Sequence, residues 1–280
     1  MGGLVVGIDI GGSTTKAAAV QDCEVVGLTA IQSLEPVAAA SGALGKLLSD
    51  LGRGLRDIEL VAVTGVGAQR IPDRILDLPI RRVDEMIAVG TGGLALTGKR
   101  EALVVSIGTG TALVAVYEGG KKIVHVGGTG VGGGTLQGLS KLLLRTQNVA
   151  TTEHLAEKGD TSKVDLTVQD LVGHGVGRLP GFATASNFGK LSDETTDSDV
   201  AAGLFNLVGQ VIGMVAVFAS KACGLERSVV LVGRLTQSKS FVESITRVGS
   251  LFDVSFTVPD RADFCTAIGA SIWLKRSAAE

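Results

Sequence analysis

Two stretches of this chain share one pattern, and that pattern limits the possible folds more than any other feature. Val5 to Val20 reads VVGIDIGGSTTKAAAV, and Val104 to Val116 reads VVSIGTGTALVAV. In each, a β-branched run meets a short glycine bend and a second apolar run follows, the pattern of strand, tight turn and strand. Placing Asp9-Ile-Gly-Gly-Ser-Thr over Ser106-Ile-Gly-Thr-Gly-Thr sets Asp9 opposite Ser106 and superposes the bends. A hairpin of this kind written twice predicts two related halves facing one cleft. Each glycine cluster alone reads as an ordinary turn. Two of them, with little side-chain bulk, can converge backbone N–H groups on the ends of a polyphosphate.

A third glycine cluster, Gly132-Gly-Gly134, stands directly before Thr135-Leu-Gln-Gly-Leu-Ser-Lys-Leu-Leu-Leu, whose apolar spacing predicts a helix. The first turn of that helix is expected to add unpaired N–H donors and the positive end of its dipole. Asp9 closes the first strand with a carboxylate suited to Mg²⁺ or its waters, and Lys16 can offset phosphate charge. The plain readings are that Asp9 caps the turn and Lys16 is solvated.

Composition removes several function classes. Glycine is abundant, at 40 of 280 residues, but it is scattered between periodic apolar segments, which argues against disorder. A formal net charge of −2 and 4% aromatic residues leave no basic surface or stacking platform for nucleic acid. Cys23, Cys223 and Cys265 are odd in number and far apart, as expected for reduced thiols of a cytosolic protein rather than a disulfide framework or zinc site. The chain enters a strand almost at once, with no basic leader and no myristoylation pattern, so a cytoplasmic location without membrane attachment is expected. The most apolar window, Leu204 to Ser220, carries Asn206 and Gln210 and reads as a core helix.

Along the chain, strands are expected at 24–31, 58–63, 122–126, 228–232 and 254–258. Helices are expected at 39–51, 135–147, 151–157, 167–172, 201–223 and 264–275, with a glycine-rich loop at 174–180. Asp84 and Glu85 are placed at the end of a short strand. Thr64-Gly-Val-Gly forms another bend at a strand's carboxyl end, where open α/β sheets tend to bind ligands. Strand and helix alternation makes the fold class α/β.

With these residues in view, the chain resembles the type II pantothenate kinases of the actin, Hsp70 and sugar-kinase superfamily over nearly its whole length. The resemblance rests on Gly7-Ile-Asp-Ile-Gly-Gly-Ser-Thr-Thr-Lys16, Ile107-Gly-Thr-Gly110, Gly128-Thr-Gly-Val-Gly-Gly-Gly-Thr135 with Gly138-Leu139, Lys158-Gly-Asp160 with Val164-Asp165 and Val168, and Ala185-Ser-Asn-Phe-Gly189. It implies two related actin-like (ribonuclease-H-like) lobes around a nucleotide cleft, residues 1–98 and 99–280. It also implies transfer of the ATP γ-phosphate to the primary hydroxyl of pantothenate, giving 4′-phosphopantothenate for coenzyme A synthesis.

By the same resemblance Glu85 is the catalytic base, and Asp9 holds Mg²⁺ through water. Gly11, Gly12, Ser13, Thr14 and Lys16 take the terminal phosphates, and Ser106, Gly108, Thr109, Gly110 and Thr111 the inner ones. Gly132, Gly133, Gly134 and Thr135 line the nucleotide cleft, Gly233 lies near the adenosine, and His125, Gly128 and Thr129 face the acceptor. A homodimer and a coenzyme A or acyl-CoA effector are implied as well. One departure is His125, where the family carries an arginine; imidazole lacks a charged fork for a carboxylate. Arg70, Arg81, Arg82 or Arg178 are candidates to replace that charge. A second is Gly233-Arg-Leu-Thr, where a further small residue is usual, and a milder one is Ser106 in place of a larger amide.

Three rivals remain open at this stage. A kinase for pantoate, pantetheine or a sugar needs only a different acceptor pocket, and a non-catalytic nucleotide or acyl-CoA sensor needs no base. An ATP-dependent activator of a CoA-ester dehydratase would need cysteines arranged for a shared iron–sulfur cluster, and none of the three stands in such a motif.

Overall fold

The computed structural model describes residues 3–32, 35–177 and 179–278. The chain opens with an antiparallel meander, β1 (Leu4–Ile10), β2 (Thr14–Gln21) and β3 (Glu24–Gln32). It crosses through α1 (Pro36–Leu51) to β4 (Ile58–Thr64), parallel to β1, and continues to β5 (Arg74–Ile75) and β6 (Leu78–Arg82). Helix α2 (Glu85–Thr97) leads to a second meander, β7 (Ala102–Ile107), β8 (Thr111–Tyr117) and β9 (Lys122–Thr129). Next come α3 (Gly133–Leu144), α4 (Val149–Ala156), β10 (Leu166–Thr167), α5 (Val168–Val172), β11 (Thr184–Ser186) and α6 (Asp197–Cys223). The chain closes with β12 (Val229–Val232), parallel to β7, then α7 (Lys239–Leu251), β13 (Phe256–Thr257) and α8 (Cys265–Ser277).

The repeat seen in the sequence is a repeat of topology. Beside a small β10-β11 pair, one large sheet runs β3-β2-β1-β4-β6-β5 and the other large sheet β9-β8-β7-β12-β13, so each half sets a meander beside a parallel strand in the same order. Crossover helices cover the sheets and leave the β1–β2 and β7–β8 bends at strand ends. The first core lies between the first sheet and α1, with Ile8, Ile10, Leu44 and Leu47 fully buried. The second packs Leu103, Ile107, Leu113, Phe205, Ile212 and Phe241 between the other sheet, α6 and α7. Helices α2 and α8 fill the space between the sheets: α2 packs on β7 and β8, and α8 on β1, β2 and β4.

Helix α2 is absent from the sequence expectation, which placed Glu85 at a strand's end. The strand β6 does stop at Arg82, and Asp84 then caps a helix by accepting from the N–H groups of Met86 and Ile87. Three glycines within it (90, 92 and 93) weaken helix propensity by about 1 kcal/mol each relative to alanine. Their reason is tertiary. A methyl on Gly92 would lie 2.1 Å from the Cys265 carbonyl oxygen, and one on Gly269 of α8 would lie 1.9 Å from that of Ala88. The helices therefore cross backbone to backbone.

Boundaries elsewhere move by a few residues. Helix α6 starts at Asp197 rather than 201, because Thr196 and Asp199 form a capping box ahead of the apolar run. By length and composition it is long and apolar enough to cross a membrane, yet 67% of its most apolar window is buried against the second sheet and α7, as a core helix requires. Helix α3 stops at Leu144, and the last strand shortens to Phe256–Thr257 because Asp253 turns the chain with φ 58°.

Candidate active site

The two glycine bends face each other. A methyl on Gly12 would lie 3.8 Å from Thr109 Oγ1, so the β1–β2 bend of one lobe and the β7–β8 bend of the other form the two lips of one gap. In the first bend the Gly11 N–H closes the turn on the Thr14 carbonyl at 3.2 Å. In the second, the Gly108 N–H bonds the Gly110 carbonyl at 2.9 Å. The N–H groups of Gly12, Ser13 and Thr109 donate to no backbone acceptor among the described residues. Donors left open at facing bends are the elements of an anion site.

Behind the second bend, the start of α3 departs from expectation. Its first N–H groups are not open: Gly133 donates to the Gly108 carbonyl at 2.8 Å and Gly134 to the Thr109 carbonyl at 2.9 Å. The helix N-terminus is stitched to the hairpin, and the glycines allow that approach, since a methyl on Gly132 would meet Thr109 O at 2.7 Å. The threonine hydroxyls are engaged similarly. Thr111 Oγ1 donates to Val131 O at 2.9 Å, Thr135 Oγ1 donates to Gly130 O at 3.0 Å, and Thr129 Oγ1 accepts from the Val131 N–H at 3.2 Å. Ser106 sits on β7 between Ala112 and Val232. Gly233, after β12, has φ 102°, a conformation that suits glycine, and any side chain there would strike the Ile107 carbonyl at 2.2 Å. Thus Gly108 to Thr111, Gly132 to Thr135 and Gly233 converge on one wall.

Across the gap, Asp9 and Lys16 are register partners on β1 and β2. Lys16 Nζ donates to the Asp263 carbonyl at 2.5 Å and lies 5.8 Å from the centre of the Phe264 ring. Burial holds its ammonium below the usual lysine range, with Asp9 and Asp263 pulling the other way and Arg234 adding to the drop. Asp9 is enclosed by protein but still reached by solvent. Burial pushes it up to about 7, Lys16 opposes this, and the charge of Glu85 adds to it. Glu85, half-buried at the first residue of α2, is likewise raised by burial and by Asp84 beside it. The charge of Glu85 thus bears on Asp9.

Thr64, on β4 opposite Asp9, adds a group that sequence reading did not assign. Its hydroxyl is fully buried and has no hydrogen-bond partner among the described residues. The following Gly65 leaves open the space beside Asp9, where a methyl would lie 2.5 Å from Oδ1. The signal was the Thr64-Gly-Val-Gly bend at a strand end. Among the described residues no group of three or more His, Cys, Asp or Glu side chains could hold a metal. The donors beside Asp9 are hard oxygens, few in number, which suits Mg²⁺ completed by water and phosphate better than a metal held by protein alone.

His125 lies exposed on β9, the edge strand, paired with Val114; Gly128 and Thr129 follow toward the second bend. Of the arginines weighed to replace its charge, Arg82 is tied to Asp73 at 2.8 Å and to the Ile71 carbonyl. Arg70 and Arg81 are exposed, and Arg178 lies outside the described residues. The Lys158-Gly-Asp160, Asp165 and Asn187 motifs form a lock on α6. Buried Asp165 accepts from Asn206 at 2.6 Å, the Phe188 N–H at 2.9 Å and Asn187 at 3.3 Å, and the Asp160 N–H donates to Asp199 at 2.8 Å.

A family model described as Fumble matches residues 96–252. A type II pantothenate kinase of Bacillus cereus (strain G9842) is 30% identical over 217 residues, covering 74% of this chain and 75% of the relative. The chain belongs to the type II pantothenate kinase family. A further type II pantothenate kinase, from Oceanobacillus iheyensis, is 29% identical over 176 residues, or 62% of this chain and 65% of that one. Among solved structures, the activator of the 2-hydroxyisocaproyl-CoA dehydratase from Clostridium difficile, with bound ADPNP, superposes with TM-score 0.72 at 19% identity over 99% of this chain and 96% of that one. A glucokinase from Streptomyces griseus in complex with glucose and AMPPNP gives 0.60 at 12% identity over 98% and 100%. Both likenesses establish the actin-like two-lobed fold. For this type II pantothenate kinase relative, family and fold together make the chain a phosphotransferase of nucleotide-binding architecture. Its cysteines stand apart in character, Cys23 exposed, Cys223 half-buried and Cys265 buried.

Proposed function

We propose that this protein transfers the γ-phosphate of ATP to the primary hydroxyl of pantothenate, forming 4′-phosphopantothenate at the entry to coenzyme A synthesis. The observation that carries the reading is the facing of the two glycine bends over a floor that holds Asp9, Lys16 and Glu85. In it, Gly11 to Thr14 with Lys16 hold the terminal phosphates, and Ser106 with Gly108 to Thr111 hold the inner ones. Gly132 to Thr135 shape the wall through their grip on the second bend, and Gly233 sits beside the adenosine. Residues 1–98 and 99–280 form the two lobes, with α8 returning to pack on the first sheet.

Glu85 accepts the proton of the acceptor hydroxyl as that oxygen forms its bond to the γ-phosphorus and the bond from phosphorus to the ADP oxygen breaks. Its environment supports the role, because burial and Asp84 raise its proton affinity above that of an ordinary glutamate. Mg²⁺, when bound, neutralises charge on the phosphate oxygens. Asp9 would hold it through water, with the unpartnered Thr64 hydroxyl beside it.

His125 favours a second reading, a kinase for a different small alcohol, because an exposed imidazole gives no cationic fork for the pantothenate carboxylate. A phosphoryl-transfer screen with labelled Mg-ATP over pantothenate, pantoate, pantetheine and sugars decides. Phosphorylated pantothenate is expected. Product from another alcohol alone transfers the assignment to that acceptor, and nucleotide binding without any product turns the chain into a sensor. The half-exposed stripe Leu207, Val211, Met214 and Phe218 on α6 supports a homodimer. The coenzyme A effector rests on the family resemblance, and the cytoplasmic setting on three dispersed free cysteines.

A further inference from the structure

Arg234 is the residue through which the second lobe reaches across the gap. Its backbone is held rigidly: the Gly233 N–H donates to Ala262 O at 3.0 Å, Thr236 donates twice to Gly233 O, and Leu235 is buried beside Gly133. From this fixed base its guanidinium crosses to the first bend, where Nη1 donates to Thr14 Oγ1 at 3.3 Å. Among the described residues the guanidinium makes no ion pair, although it is close enough to Lys16 to disfavour that ammonium's charge. This exposed five-donor cation rests on one neutral protein hydroxyl, near a second cation and beside N–H groups that have no backbone acceptor, so beyond that hydroxyl only solvent offers it acceptors. A phosphoryl group between the bends supplies them, as two oxygens matching the guanidinium fork.

We propose that Arg234 is a nucleotide-binding residue that grips the terminal phosphate of the bound triphosphate from the lobe opposite the first bend, so that the lobes close on ATP more firmly than on ADP. This rests on the kinase reading, in which Thr14 faces the terminal phosphate. A residue that merely bridged the lobes would stabilise the empty protein and be indifferent to the number of phosphates.

The test is isothermal titration of Mg-AMPPNP and Mg-ADP into wild type, Arg234→Ala and Arg234→Lys, with thermal melts of each. Loss of a charge-assisted bidentate contact should weaken AMPPNP about 10- to 100-fold in Arg234→Ala. ADP affinity should change by less than about threefold, and lysine, with charge but no fork, should fall between. A lowered melting temperature with an unchanged AMPPNP-to-ADP affinity ratio overturns the proposal and leaves the kinase reading standing. A wild type that takes up neither nucleotide overturns the kinase reading itself, and this role with it. Should Arg234→Ala fail to fold, Arg234→Gln retains a polar reach to Thr14, and the same ratio decides.

Discussion

Replacing Asp9 with asparagine separates what this carboxylate does for the empty fold from what it does for chemistry. In the folded protein burial pushes Asp9 from the ordinary aspartate value of 3.8 up to about 7, with Glu85 adding to the rise and Lys16 opposing it. A carboxyl whose proton is held more tightly in the folded state stabilises that state fully at pH below 4. It loses this contribution as pH climbs through about 7. At about 1.36 kcal/mol per unit the whole contribution is about 4 kcal/mol, of which roughly 2–3 kcal/mol disappears between pH 5 and pH 8. Asparagine keeps the shape and does not titrate. Urea unfolding of both proteins without nucleotide, at pH 5 and pH 8, should show wild type losing about 2–3 kcal/mol relative to Asp9→Asn over that interval. The variant should at the same time lose Mg-ATP-dependent turnover, since the ionised carboxylate is the form that attracts the cation. Parallel stability profiles would refute the reasoning, because they would mean that Asp9 is as well solvated in the cleft as in the unfolded chain.

The other expectations concern base, packing and lock. Glu85→Gln should lower kcat about 10²- to 10⁴-fold while ATP affinity stays within about threefold, and a full-rate variant would remove Glu85 from the mechanism. Gly269→Ala gains about 1 kcal/mol of helix propensity, but its methyl would lie 1.9 Å from Ala88 O. Separating α2 and α8 should outweigh that gain, for a net loss of about 2 kcal/mol in denaturant unfolding; equal or greater stability would show that the crossing admits a methyl group. Asp165→Ala strands the Asn206, Asn187 and Phe188 donors and should cost about 3–5 kcal/mol. Faster proteolytic cleavage between 166 and 191 should accompany it, and unchanged cleavage would mean that the lock does not restrain that segment.

How far the sequence could be read depended on whether a feature was local. The paired bends are local, because glycine, β-branched runs and threonine impose strand, turn and strand wherever they occur, and their repetition gave the two-lobed order of the sheets. The long apolar helix was legible for the same reason, since the periodicity of Leu204, Val208, Ile212 and Val217 needs no partner to be recognised. Helix α2 was illegible because its glycines argue against a helix locally. Only tertiary contacts explain them: Gly92 lies against Cys265, Gly90 against Val116 and Ile123, and Gly93 against Val104. The start of α3 differs in the opposite direction: open N–H groups are a local inference, and the hairpin carbonyls that consume them come from residues more than twenty positions earlier.

The residues alone therefore determined two glycine hairpins, an α/β alternation and a family. What tertiary structure decided is the distance between the hairpins, the bearing of Glu85's charge on Asp9, the orphaned Thr64 hydroxyl and the reach of Arg234 to Thr14. Each of these depends on packing between residues far apart in the chain, as the backbone contact of α2 with α8 does, and no local pattern records such contacts.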